Sequence, residues 1–235
     1  MTRTSSPLPD TAPGDVFARV AGKGRAAVLT GSHRVEAPPA EGGRWGPSVV
    51  FLVGDAAADA LDGVTRETLA ACGQGTHWPS GSDGYAHVTV RALEPYPRAV
   101  VAAERVDRYA AALTRAMQNL GEVVLAFDGM VVSPAGVLAT ATSRDGVADE
   151  LRSRLAAELG PDGWLENDHV RRDPIWYCTL VHFAGPLADA RRLVDWVDAR
   201  RRLRVADATF GSASVCRWDF DGVAMAPTPL AEVAR

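Results

Sequence analysis

Two periods of apolar residues run along this chain. Ser48–Val53 (SVVFLV) and Glu122–Asp128 (EVVLAFD) are apolar runs of strand length, as are Gly136–Thr142 and Ile175–Phe183. Tyr85–Leu93 alternates, so Tyr85, His87 and Thr89 share one face of a strand. Between the strands, apolar residues recur three and four apart. Arg98–Leu120 sets Val101, Val106, Tyr109, Leu113, Met117 and Leu120 on a stripe, which predicts a long helix closed by Gly121. Ala56–Cys72, Val147–Leu159 and Leu187–Arg202 predict three more helices, and residues 160–174 a polar loop. Ala213–Phe220 and Gly222–Ala226 predict a closing hairpin turning at Asp221-Gly222, a dipeptide suited to two-residue turns.

The order of these parts repeats: strand, helix, motif strand, helix, and then the same again. That repeat predicts an α+β fold of two pseudo-symmetric lobes, with antiparallel sheets lining a cleft and helices outside. Residues 1–44 have another texture. Pro7, Pro9, Pro13, Pro38 and Pro39 stand among Ser, Thr and Gly, which predicts a poorly ordered leader with at most a short ordered piece in Asp15–Thr30. The domain is expected to span residues 45–235.

Composition narrows the function. A net charge of −4 and a pI of about 5.7 argue against a protein that coats duplex DNA. Lys23 is the lone lysine among 25 basic residues, so arginine clusters here reflect a compositional bias before they reflect a site. Cys72, Cys178 and Cys216 are an odd set without CxxC spacing, neither a zinc cage nor a disulfide framework. No stretch approaches 18 uninterrupted apolar residues and the first 13 hold no signal-type core, so no membrane association is expected and the cytoplasm is the expected compartment.

The chemistry concentrates in one strand. His87-Val88-Thr89-Val90 puts an imidazole and a hydroxyl on one face, roughly 6–7 Å apart along the strand. Both can then touch one anion, the hydroxyl donating to a phosphoryl oxygen while the imidazole moves a proton. At the corresponding place in the second half stands Tyr177-Cys178-Thr179-Leu180. With AHVTVRAL, the EVVLAFDGM…PAGVLATAT hairpin, Leu151-Arg152 and WYCTLVHF, the chain from Trp45 onward resembles the 2H phosphoesterase superfamily. That superfamily includes 2'-5' RNA ligase-like proteins and cyclic nucleotide phosphodiesterases. Its members carry two H-x-T/S motifs, one per lobe, facing a shared cleft.

The resemblance implies metal-independent hydrolysis or transfer at a cyclic or 2'-5' phosphodiester, with no cofactor. The implied ligand is small and phosphorylated or nucleotide-like, RNA ends included. His87 would be the acid–base residue, and Thr89 and Thr179 would bind phosphoryl oxygens. Apart from the resemblance, Arg171 and Arg172 stand just upstream of the second motif strand, placed either to lean over a bound phosphate or, given the arginine bias, to be solvated at the surface. The pattern departs at one point: Tyr177 stands where the family has its second histidine. A phenol of reference pKa about 10 donates a proton but is a poor base at neutral pH, and losing one acid–base partner typically costs about 10²–10⁴-fold. His182 lies an odd number of residues further on, so strict alternation points it to the opposite face.

Three readings stay open: a phosphodiesterase with an altered acid, a binder of nucleotide-like ligands without turnover, and a fold recruited for other chemistry. Other candidates carry less. Glu166, Asp168 and His169 crowd one polar loop without metal-ligand spacing. His77-Trp78 either walls the cleft or packs in its loop, and Arg200–Arg204 suits a helix C-terminus. Cys178 alternates away from the cleft.

Overall fold

The computed structural model describes residues 13–73, 75–163 and 175–235. Helix α1 (Pro13–Leu29) leads into β1 (Ser48–Leu52), α2 (Asp55–Cys72), β2 (His87–Ala92) and α3 (Ala103–Met117). Then come β3 (Val123–Ser133), β4 (Gly136–Ser143), α4 (Val147–Leu159), β5 (Trp176–His182) and α5 (Ala190–Asp198). Strands β6 (Ala206–Phe210), β7 (Ser212–Phe220) and β8 (Met225–Ala234) close the chain. The strands form an antiparallel sheet ordered β6-β3-β4-β5-β2-β1-β7-β8.

That order is two four-stranded halves placed back to back. One runs β5-β4-β3-β6 and the other β2-β1-β7-β8, so the two motif strands are the innermost of each half. They meet in a single ladder pair, Val88 with Cys178. Where the ladder stops, α4 takes over. Arg152 donates from Nε to the Val90 carbonyl at 3.2 Å and from Nη2 to the Ile175 carbonyl at 3.2 Å, with its guanidinium 3.4 Å above the Trp176 ring. Carbonyls that would face each other across the seam thus share one cation.

Val88, Val90, Cys178 and Leu180 are fully buried in the main core beneath the helices, which leaves their alternating neighbours for the other face. Helix α2 packs on β5 and β6, α5 on β3, and α3 and α4 on each other. Edge strand β8 carries Pro227 and Pro229, which remove two N–H groups from the sheet's rim.

The ordered piece allowed for in Asp15–Thr30 is a full helix docked on the domain rather than part of a leader. Helix α1 packs along β3 and α5, with Val16 and Val28 at 0% and 1% exposure. Its three glycines disguise the pattern in sequence, yet Gly24 is what lets it dock, because a Cβ there would lie 2.1 Å from the Val132 carbonyl oxygen. Helix α3 begins five residues later than the periodicity suggests and ends three earlier, and β6 was not expected at all. Strand β3 runs past Asp128 to Ser133 through a register shift between Phe127 and Gly129.

Candidate functional site

Both motif strands carry the same irregularity. In the β1–β2 ladder Val49 pairs with Arg91 and Val50 with Thr89, so Val90 is an extra residue on β2. In the β4–β5 ladder Val137 pairs with Val181 and Leu138 with Thr179, so Leu180 is the extra residue on β5. Each bulge follows the motif threonine and reverses the in/out alternation beyond it. Residues three positions after each threonine, Ala92 and His182, are thereby turned onto the motif's own face. The parity expectation for His182 is overturned: it lines the same cleft as Tyr177 and Thr179 because one inserted residue cancels the odd offset.

The cleft encloses about 210 Å³ where the two halves meet. His87, Thr89, Tyr177 and Thr179 all line it, together with His182, Glu94, Arg44, Trp45 and Trp218. The Val88–Cys178 pair sets the register, and extending it puts His87 across from Thr179 and Thr89 across from Tyr177. Arg171 and His169 lie outside the described residues. Cys178 faces the core, where burial pushes its thiol up to about 12.

Second contacts fix what the imidazoles present. His87 Nδ1 sits 2.8 Å from the Tyr85 carbonyl oxygen, which can only accept, so Nδ1 carries a hydrogen and the neutral form of the ring keeps its lone pair on Nε2. Its ring packs against Trp218 at 4.4 Å between centroids. His182 Nδ1 lies 2.6 Å from Ser80 Oγ, and its ring meets Trp45 at 5.0 Å and Trp78 at 6.2 Å. Its backbone exchanges both hydrogen bonds with Trp78, which extends the sheet locally. Burial first, and then the charges of Arg44, His87 and Arg34, hold the His182 pKa well below the ordinary 6.5.

The outer wall is residues 43–46. Trp45 adopts a left-handed backbone at φ 72°, and Gly46 presses so closely against the chain just beyond β2 that a Cβ would fall 1.7 Å from the Glu94 carbonyl oxygen. That approach sets Trp45 edge-on against Trp218 at 5.5 Å and brings Arg44 to the rim. Arg44 and Arg34 both pair with the buried carboxylate of Glu36. Glu94 is tied down from behind by Tyr109 Oη and Arg105, each at 2.5 Å.

Arg44, Trp45 and Glu94 escaped the sequence reading as site residues, whereas His182 was weighed there and turned away by parity. His77 and Trp78 do not line the cleft: both are buried, His77 against Phe183 and Trp78 in a cluster with Trp218 and Met225. Among the described residues, no group of three or more His, Cys, Asp or Glu side chains is placed to hold a metal ion. No helix among them is long and apolar enough to cross a membrane.

No family model matches the sequence, and neither does any curated protein. Solved structures do match in fold. The apo form of E. coli LigT superposes with a TM-score of 0.54 at 11% identity, covering 81% of this chain and 96% of that one. A structure described as a phosphoesterase gives 0.53 at 12% identity, over 80% of this chain and 98% of its own. TT0787 of Thermus thermophilus gives 0.53 at 14%, over 80% and 97%. E. coli LigT complexed with 3'-AMP gives 0.50 at 15%, over 80% and 98%. The chain therefore has the α+β fold of LigT.

Proposed function

We propose that this protein is a member of the 2H phosphoesterase superfamily that acts, without a metal, on a cyclic or 2'-5' phosphodiester of a nucleotide or of an RNA end. The observation that carries this reading is the convergence of His87, Thr89, Tyr177 and Thr179 on one cleft from two halves of the sheet. The LigT structure with 3'-AMP supports a nucleotide-like ligand. At about 210 Å³ the cleft is smaller than the roughly 300–1,000 Å³ of drug-sized sites, which suits a phosphoryl group and its sugar with the base outside.

In this reading Thr89 and Thr179 donate their hydroxyls to the non-bridging oxygens. His87 Nε2 takes a proton from water as the water oxygen bonds to phosphorus. The ester P–O bond breaks, and the leaving oxygen takes its proton from the Tyr177 phenol. The imidazolium of His87 returns a proton through solvent to Tyr177, so one water is consumed and the protein is restored. The cytoplasm is the compartment this reading assumes.

The test is incubation of the protein with a panel of 2',3'-cyclic and 2'-5' phosphodiesters in the presence of a chelator. Turnover should appear in wild type and fall about 10²–10⁴-fold in His87→Ala. Tyr177 in place of an imidazole favours a second reading, a binder without turnover. Equal inertness of wild type and His87→Ala, with 3'-AMP still bound, would select it.

A further inference from the structure

Base chemistry at phosphorus needs a partner that meets the charge growing on the phosphoryl oxygens, and one buried ring is oriented for that task. Ser80 is only 2% exposed, and His182 Nδ1 is the one hydrogen-bond partner of its Oγ among the described residues. A buried hydroxyl proton needs an acceptor. Nδ1 is the atom in reach, so the hydroxyl donates and Nδ1 accepts. In a neutral imidazole the ring hydrogen then sits on Nε2, the nitrogen left for the cleft. Trp45 and Trp78 both pack edge-on against the ring and restrict its tilt.

His87 is set the opposite way, with Nδ1–H on the Tyr85 carbonyl. One ring presents a lone pair and the other an N–H. Charges around His182 reinforce the difference. Arg44 and Arg34, with His87 across the cleft, oppose a cation there, and Glu36 is engaged by both arginines.

We propose that His182 is a second imidazole of the site, a neutral N–H donor that holds a phosphoryl oxygen through Nε2 while Ser80 fixes its tautomer. This rests on the phosphodiester reading and adds a residue to it. His182 keeps its proton throughout. It stabilises charge that develops at phosphorus, which a preorganised donor in a partly dehydrated site does well. A neutral imidazole is the better instrument here, since its hydrogen bond does not depend on an acidic medium.

The experiment compares wild type, His87→Ala, His182→Ala and His182→Gln on 2',3'-cyclic AMP with chelator present. His182→Ala should lower kcat about 10²–10³-fold with a smaller change in KM. His182→Gln, which retains an N–H donor, should recover at least tenfold of that loss. A folded His182→Ala enzyme at wild-type rate overturns the proposal. If His87→Ala has lost activity in the same series, the phosphodiester reading survives that failure. Ring ¹⁵N NMR supplies the measurement that needs neither turnover nor a folded variant. In wild type, Nε2 should read as protonated and Nδ1 as bare, and the Nε2–H signal should move on addition of 3'-AMP or inorganic phosphate. A hydrogen on Nδ1, or an Nε2–H signal indifferent to both ligands, overturns the proposal. Absence of any binding by either probe, in a wild type that is also inert, overturns it together with the reading beneath it.

Discussion

Lowering the pH from 7 to 5 should destabilise this protein through His182, and the size of the effect follows from its burial. The ring is 6% exposed and its pKa is held well below 6.5, by burial first and then by Arg44, His87 and Arg34. Unfolding releases it to an ordinary value near 6.5. Between the folded and unfolded values the unfolded chain binds the extra proton, so stability rises with pH. Stability is therefore complete above about pH 6.5–7 and is lost as pH falls, at a limiting slope of about 1.4 kcal/mol per pH unit while the folded ring stays neutral. For a chain of this length that is a Tm fall of about 3–6 °C per unit. Urea unfolding of wild type and His182→Gln at pH 7.5, 6.5, 5.5 and 5.0 isolates the term. His77, lowered by its own burial and by His33, titrates in both proteins and cancels in the difference. The stability gap between wild type and variant should close by about 1.4 kcal/mol per unit below pH 6.5. Parallel curves would refute the buried, neutral His182.

Gly46→Ala forces a Cβ into a space 1.7 Å from the Glu94 carbonyl oxygen, so the 43–46 wall must lift. Thermal melting should show about 1–3 kcal/mol of destabilisation, and isothermal titration a weaker 3'-AMP affinity; an unchanged Tm would mean the wall yields freely. Arg152→Met removes the donors to the Val90 and Ile175 carbonyls while keeping the aliphatic bulk, and should cost about 2–4 kcal/mol in urea unfolding and loosen hydrogen exchange along β2 and β5. Loss under about 0.5 kcal/mol, the size of an ordinary surface substitution, would show that the seam between the motif strands holds without it.

What the sequence made legible is what depends on period. Helix α4 lies at its expected bounds, and both motif strands lie within a residue or two of theirs, because their apolar patterns are regular and face one core. Helix α1 falls where a short ordered piece was expected, Asp15–Thr30, but its docking was hidden because Gly14, Gly22 and Gly24 lower its propensity, while the reason for Gly24 is a backbone neighbour, Val132, far along the chain. Strand β6, five residues of ADATF, is too short and too rich in alanine to stand out from the loop around it. The stop expected at Asp128-Gly129 failed for another reason. A bulge absorbs Asp128, Gly129 pairs with Thr140, and the strand continues.

The same physics decides the site. Alternation is reliable only while every residue on a strand has a partner, and each motif strand breaks that condition one residue after its threonine. Once Val90 and Leu180 are set aside as unpaired, the two halves align position by position. His87 answers to Tyr177, Thr89 to Thr179 and Ala92 to His182, and all six line one cleft. With that alignment, Tyr177 need not leave the site with one imidazole. The first half carries its histidine at the opening position and alanine at the last; the second half carries tyrosine at the opening position and histidine at the last. Two imidazoles still line one cavity from neighbouring strands, each with its Nδ1 engaged, by the Tyr85 carbonyl in one and the Ser80 hydroxyl in the other. A search by linear motif must miss such an arrangement, because the bulge that delivers His182 is visible only in the pairing of β5 with β4.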